Sequence, residues 1–152
     1  MKLNQPLNCH CSNDKPILLK GSNPLSPIIC IDCKNPVSLE NVNITNKLKA
    51  LLGKWAQIYH SIFTLWSDSI EYKEWAKKQL LDETGEINIE GLELAQQLNE
   101  SRKIYYWMFQ DVSDKNYILP KHCPFCGASL ELILNNDFRV CHPCKVAYPD
   151  KN

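Results

Sequence analysis

The sequence has very few arginines and no excess of charge of either sign. Only Arg102 and Arg139 are arginine among 17 basic residues, and 17 acidic residues balance that total. Proteins that hold nucleic acid electrostatically usually carry a basic excess, and arginine is the commonest reader of guanine edges. The composition therefore argues against strong, sequence-specific recognition of a DNA groove.

The sequence also lacks long hydrophobic runs. No stretch approaches the roughly 18 consecutive apolar residues that a membrane helix needs, and the segment 1–6 lacks the apolar core of a secretory signal. A hydrophobic content of 44% with 22% charged residues is typical of a globular chain. We therefore expect a cytoplasmic protein, and in that compartment cysteines stay reduced.

Cysteine is abundant, and all eight cysteines lie near the two ends of the chain. Near the C-terminus, Cys123 and Cys126 form one C-x-x-C pair and Cys141 and Cys144 form another. Four thiolates at this spacing suit a tetrahedral zinc ion. Each C-x-x-C turn is called a knuckle below, and Gly127 allows the first one, at Cys123 and Cys126, to fold back under the metal. Alternating residues at 130–134, turn residues at 135–137 and a return strand at 138–140 predict a hairpin between the pairs. The pattern predicts a zinc ribbon.

The N-terminal cysteines predict a second, less regular ribbon. Cys9 and Cys11 form a C-x-C pair whose sulfurs point to one side of an extended segment, and Cys30 and Cys33 complete the set. Short strands are expected at 17–19 and 28–29. The sequence leaves two alternatives open, namely His10 as a ligand and an exchange of cysteine pairs between the ribbons. The favoured prediction is two Zn²⁺ per chain, each held locally.

Between the cysteine clusters the pattern predicts helices followed by an aromatic strand. An amphipathic helix should begin after Asn43 or Thr45 and continue through position 66, and a second should bury Tyr72 and Trp75 with Ala76 and Leu80. A third should be capped by Asn88, with close packing explaining Gly91 inside it. The strand at 104–109 should lie in the core, although Tyr105 and Trp107 could instead stack on unpaired bases.

These elements predict an α+β fold with three parts. They are an N-terminal zinc ribbon at 1–40, a small helical domain ending in an aromatic strand at 41–116, and a C-terminal zinc ribbon at 117–152. Because the helices can bury their own apolar residues, we expect chelation to disorder the two ends and leave most of the helical signal.

Several stretches together resemble a bacterial family of zinc-ribbon-containing proteins of unknown function, for which nucleic-acid binding has been suggested. The resemblance covers most of the chain and is carried by C-I-D-C-K-N-P-V-S-L at 30–39, G-L-E-L-A-Q-Q-L at 91–98, I-Y-Y-W-M-F at 104–109, and C-P-F-C-G with D-F-R-V-C-H-P-C-K at 123–145. It implies two ribbons around a helical core and a nucleic-acid partner.

The sequence favours a binding protein over an enzyme. Four thiolates leave no open position on either metal, and no nucleophile–base pair or phosphate loop is evident. We expect either weak, low-specificity binding of nucleic acid or a zinc-stabilised adaptor that binds a protein, with no membrane or small-molecule partner. The phosphate contacts predicted for the first case flank the C-terminal knuckles and are Lys121, Arg139 and Lys145.

Overall fold

A computed structural model describes residues 8–23, 26–100, 102–133 and 138–149. The fold is α+β, as predicted. The helices, in chain order, are α1 (Asn46–Asp68), α2 (Lys73–Leu81) and α3 (Glu86–Leu98), and a short 3₁₀ helix spans Leu39–Asn41. Within the described residues the strands are β1 (Ile17–Leu19), β2 (Ile28–Cys30), β3 (Ile104–Trp107), β4 (Glu131–Leu132), β5 (Phe138–Cys141) and β6 (Val146–Pro149).

All six of these strands belong to one sheet in the order β2-β1-β3-β6-β5-β4. Strand β3 is central and pairs in parallel with β1 on one side and β6 on the other. The outer pairs, β1 with β2 and β5 with both β4 and β6, are antiparallel. The sheet therefore joins strands from all three segments of the sequence, while the division at 40/41 and 116/117 stays a prediction.

The aromatic strand forms the core, as its composition suggested. Every residue from Ile104 to Phe109 is buried. Tyr106 faces the helices, with its ring centroid 6.0 Å from that of Trp55 on α1. Tyr105 points to the other face, where its hydroxyl hydrogen-bonds His142 at 2.7 Å. A strand buried on both faces needs apolar residues at every position, and this one has them.

Helix α1 begins as predicted but buries less of its apolar face than expected. The Thr45 hydroxyl accepts a hydrogen bond from the Leu48 amide at 3.2 Å and caps the helix. Leu52, Trp55 and Tyr59 are its buried residues. Leu51 and Ile58 remain 46% and 44% exposed. The apolar stripe of α1 is therefore wider than the part of the helix that the sheet covers.

Two predictions about the other helices are wrong. Tyr72 and Trp75 are about half exposed, because the shorter α2 buries only Ala76 and Leu80. Asn88 does not cap α3, which begins one turn earlier after Gly85. Asn88 is instead fully buried: its amide donates to the Leu80 and Asp82 carbonyls at 3.0 and 2.8 Å and accepts from the Tyr106 hydroxyl at 2.6 Å. A polar residue at a helix start resembles a cap until its burial is known.

Candidate metal centres

Both sets of four cysteines come together in the structure, each within its own end of the chain. The sulfurs of Cys9, Cys11, Cys30 and Cys33 lie within 4.8 Å of one another, and so do those of Cys123, Cys126, Cys141 and Cys144. The pairs are therefore not exchanged between the two ends. No other group of three or more histidine, cysteine or acidic side chains with this spacing occurs among the described residues. His10 accordingly stands outside the ligand set.

The sulfur spacing fits a metal and not a disulfide. The Cys126 and Cys141 sulfurs are 3.5 Å apart, whereas a disulfide bond is about 2.05 Å long. A tetrahedron with zinc–sulfur bonds of 2.3 Å has edges of roughly 3.8 Å. All eight cysteines are free thiols. Each group can therefore hold a metal ion.

The three C-x-x-C knuckles share one backbone conformation. The residue after the second cysteine has a positive φ in each: 61° at Lys34, 76° at Gly127 and 56° at Lys145. A backbone hydrogen bond closes the turn from the Gly127 amide to the Cys123 carbonyl at 2.8 Å, and another from the Lys34 amide to the Cys30 carbonyl at 2.9 Å. Glycine adopts this conformation freely and lysine does not, so two of the three knuckles carry strain.

Hydrogen bonds from backbone amides to the Cys9 and Cys126 sulfurs favour the negatively charged thiolate form. The Cys11 amide donates to the Cys9 sulfur at 3.3 Å. A backbone hydrogen bond from Ala128, followed by the neighbouring thiols, lowers the pKa of Cys126. Burial acts in the opposite direction and raises the pKa of Cys9 to about 12. This partly exposed thiol would stay protonated at neutral pH, so a cation that binds there must displace its proton.

His142 connects the C-terminal cluster to the centre of the sheet. The residue directly follows Cys141, and its Nε2 lies 2.9 Å from a Glu131 carboxylate oxygen. Its Nδ1 lies 2.7 Å from the Tyr105 hydroxyl. A neutral imidazole can donate to Glu131 and accept from Tyr105, so the ring is held between β4 and β3. The ring therefore bridges two strands.

The three predicted phosphate contacts do not lie on one face of the sheet. Arg139 on β5 pairs with Tyr148 on β6, while the neighbouring Val140 pairs with Ala147, which pairs with Trp107. Directly paired residues share a face, so Arg139 lies on the face opposite Trp107. The Lys145 ammonium is 5.5 Å from the Tyr105 ring centroid, on the Trp107 face. Lys121 is exposed before the first knuckle of the C-terminal cluster.

Sequence reasoning missed two lysines that share the face of Lys145. The Lys103 ammonium is also 5.5 Å from the Tyr105 ring centroid, and the Lys20 ammonium is 4.7 Å from that of Trp107. Burial lowers the pKa of Lys20, and repulsion from Lys34 lowers it further. The alternation of residues in β3 could have indicated that the Tyr105 and Trp107 rings share one face. It could not have indicated the lysines, because only the sheet order brings lysines from three segments of the chain to those rings.

Strand β6 was also missed. It begins directly after the last knuckle and runs from Val146 to Pro149. Its first three residues are buried. Three apolar residues ending at a proline are too short a pattern to distinguish a strand from a loop.

The fold and the sites define an α+β protein with two four-cysteine groups able to bind metal ions, and no helix among the described residues is long and apolar enough to span a membrane. The chain matches no protein-family model, and no curated protein or solved structure is detectably similar to it. The resemblance drawn from the sequence motifs therefore carries over only as two clusters compatible with zinc-ribbon-like sites.

Proposed function

We propose that both cysteine groups are structural zinc sites. Four cysteine sulfurs within 4.8 Å of one another suit tetrahedral coordination. Zinc and iron both accept four thiolates in this geometry, and zinc is the commoner ion in structural sites joined by C-x-x-C knuckles. Four protein ligands fill the coordination sphere, so neither ion has an open position for water or substrate.

Metal analysis of the purified chain tests this assignment. The wild type should contain two zinc ions per chain. Cys33→Ser should retain the C-terminal ion and Cys144→Ser the N-terminal one, because each change removes one ligand from one group. Iron in place of zinc, or one ion per wild-type chain, would contradict the proposal.

We further propose that the face of the sheet carrying Tyr105 and Trp107 binds the phosphate backbone of a nucleic acid. The supporting observation is the cluster of three ammonium groups over those two rings, from Lys20, Lys103 and Lys145. Burial is the main cause of the lowered pKa of Lys20, and repulsion from Lys34 adds to it, so a further positive charge lies close to Lys20. An anion bound beside these ammonium groups would reduce that repulsion.

The mode of binding follows from the burial of the rings. Tyr105 is 1% exposed and Trp107 is 7% exposed, so neither ring offers a surface on which a base could stack. Contacts would be made to phosphates alone, which carry no sequence information. With no net charge on the chain, binding is expected to be weak and non-specific.

Titration of a fluorescent oligonucleotide over a series of salt concentrations tests the proposal. A variant with Lys20, Lys103 and Lys145 changed to glutamine should flatten the plot of log affinity against log salt by about 2 units for a single strand. The matched control changes Lys47, Lys78 and Lys115, which are exposed elsewhere, and should leave the slope almost unchanged.

Two other outcomes of the titration would favour a different binding site or no nucleic-acid binding. If changing Lys121 and Arg139 alters the slope and changing the sheet lysines does not, binding belongs to the C-terminal ribbon as the sequence predicted. If the wild type binds no oligonucleotide at low salt, the proposal fails and the zinc-stabilised adaptor becomes the better hypothesis.

A further inference from the structure

A groove of about 570 Å³ lies among the three helices, away from both metal centres. One wall is formed by α1 positions 51, 55, 58 and 62 and another by α3 positions 86, 90, 93 and 97. Each set follows the same spacing of four, three and four residues, so each wall is a straight stripe about three turns or roughly 16 Å long. The groove is therefore elongated, with walls about as long as a three-turn helix.

The α1 wall and the adjoining end of α2 are apolar and open to solvent. Leu51, Ile58 and Trp75 line the groove and are 46%, 44% and 51% exposed. Trp55 forms part of the wall and is fixed by a hydrogen bond from its ring nitrogen to the Ile87 carbonyl at 2.8 Å. A continuous set of large exposed apolar side chains on a rigid support is typical of an interaction surface.

The α3 wall is acidic. Glu86, Glu90 and Glu93 are exposed along it, and no ion pair joins any of them to another residue in the described part of the chain. Lys54 is the basic residue that faces them across the groove. The lining thus carries three carboxylates against one ammonium group. An occupant should bring positive charge to that side and apolar side chains to the other.

We infer that this groove, hereafter the helical groove, binds a basic amphipathic helix of a partner protein. The apolar wall would contact the apolar stripe of such a helix, and the three carboxylates would pair with its lysines or arginines. This is the arrangement of helix-in-groove recognition. A second copy of this chain fits less well, because two facing grooves would bring six carboxylates together with only two lysines. The inference is independent of nucleic-acid binding, which uses the sheet face.

The probe is a synthetic peptide of about 16 residues, long enough for four turns, with leucines on one face and lysines on the other. Fluorescence anisotropy of the labelled peptide measures its affinity for the zinc-loaded chain. The comparison peptides are a scrambled leucine–lysine peptide and a peptide with glutamate in place of lysine. We expect binding of the first peptide only, weakened by salt, with a shift of tryptophan emission to shorter wavelength as Trp75 is covered.

Two groups of variants test the two walls. Changing Glu86, Glu90 and Glu93 to glutamine should weaken binding roughly 10-fold, because each exposed ion pair contributes a factor of about 2 to 3. The matched control changes three exposed glutamates outside the groove to glutamine, namely Glu40, Glu71 and Glu100, and should have little effect.

For the apolar wall, Trp75→Ala should weaken binding by at least about 10-fold, whereas Ile118→Ala, at a residue 83% exposed elsewhere, should not. These side chains are exposed, so circular dichroism should show all variants folded. Equal binding of the scrambled or acidic peptide, or no effect of the glutamate variant, would overturn the inference. Self-association abolished by Trp75→Ala, without peptide binding, would show that the occupant is a second copy.

Discussion

Gly91 on α3 offers the sharpest test of how the helices pack on the sheet. A Cβ atom built at this residue would lie 2.7 Å from Cζ of Tyr106 and 2.8 Å from Cζ2 of Trp55, and closer still to another atom of the Tyr106 ring. Neither ring is free to move. Tyr106 is held by Asn88 at 2.6 Å and Trp55 by the Ile87 carbonyl at 2.8 Å. Gly91→Ala must therefore displace a helix or a ring.

The size of the effect follows from two opposing terms. Overpacking a rigid core costs about 1 to 3 kcal/mol, and the upper end applies because two fixed rings are affected. Replacing a helical glycine by alanine returns about 1 kcal/mol through helix propensity. Gly91→Ala should thus lower the free energy of unfolding by about 2 kcal/mol, which corresponds to a fall in Tm of roughly 4 to 8 °C for a chain of this length.

Gly53 provides the matched control. It also lies within a helix, α1, but nothing lies within 4 Å of a Cβ built there. Gly53→Ala should raise the free energy of unfolding by about 1 kcal/mol through propensity alone. The same substitution is therefore expected to have opposite signs at the two positions.

The assay is urea unfolding followed by tryptophan fluorescence and circular dichroism, with excess zinc present so that metal occupancy does not vary. In a Tyr106→Leu background the smaller side chain leaves room, so the cost of Gly91→Ala should fall by at least half. The reasoning is refuted if Gly91→Ala is as stable as the wild type, or if its cost is unchanged in that background.

Three further predictions concern the core, a knuckle and the metals. Asn88→Ala should lower the free energy of unfolding by about 3 kcal/mol, since it leaves the Tyr106 hydroxyl and the Leu80 carbonyl without this partner. The Asp82 carbonyl would lose one of two hydrogen bonds and keep that from the Gly85 amide, and exposed Asn46→Ala should cost far less. Lys34→Gly should raise stability by up to about 1 kcal/mol because φ there is 61°, and Lys34→Val should lower it, both measured by the same urea assay. Chelation of both metals should reduce the helical circular dichroism together with the sheet signal; a helical signal that survives complete metal removal, checked by elemental analysis, would show that the helices stand alone.

The last of these predictions reverses the expectation drawn from the sequence, and the reason is topological. Strand β1 lies between the two N-terminal cysteine pairs, and β6 begins just after Cys144. These are the two strands that pair with β3, on which the helices pack. If both groups hold metal ions as proposed, their removal would release both neighbours of β3 and expose its backbone. The helices would then lose the surface that buries them.

The sequence by itself determined the local features of this protein. Cysteine spacing identified the two groups of four, because ligand geometry at a knuckle depends only on residues a few positions apart. The start of α1 after one of two candidate caps, Asn43 or Thr45, and the burial of the 104–109 segment followed from local chemistry and periodicity, and the structure selects Thr45. The close packing around Gly91 was also inferred correctly, since a glycine inside a good helix needs a reason.

Only the tertiary structure decided which elements meet. No local pattern indicated that β3 would lie between β1 and β6, because parallel pairing joins strands far apart in the chain. The same pairing separates Arg139 from Lys145 and brings Lys20 and Lys103 to the face that Lys145 shares. Whether an amphipathic stripe is covered depends likewise on its neighbours. Trp75 and Ile58 match a buried face by period, yet they stay exposed because α1, α2 and α3 form a groove whose open side no other part of the described chain fills.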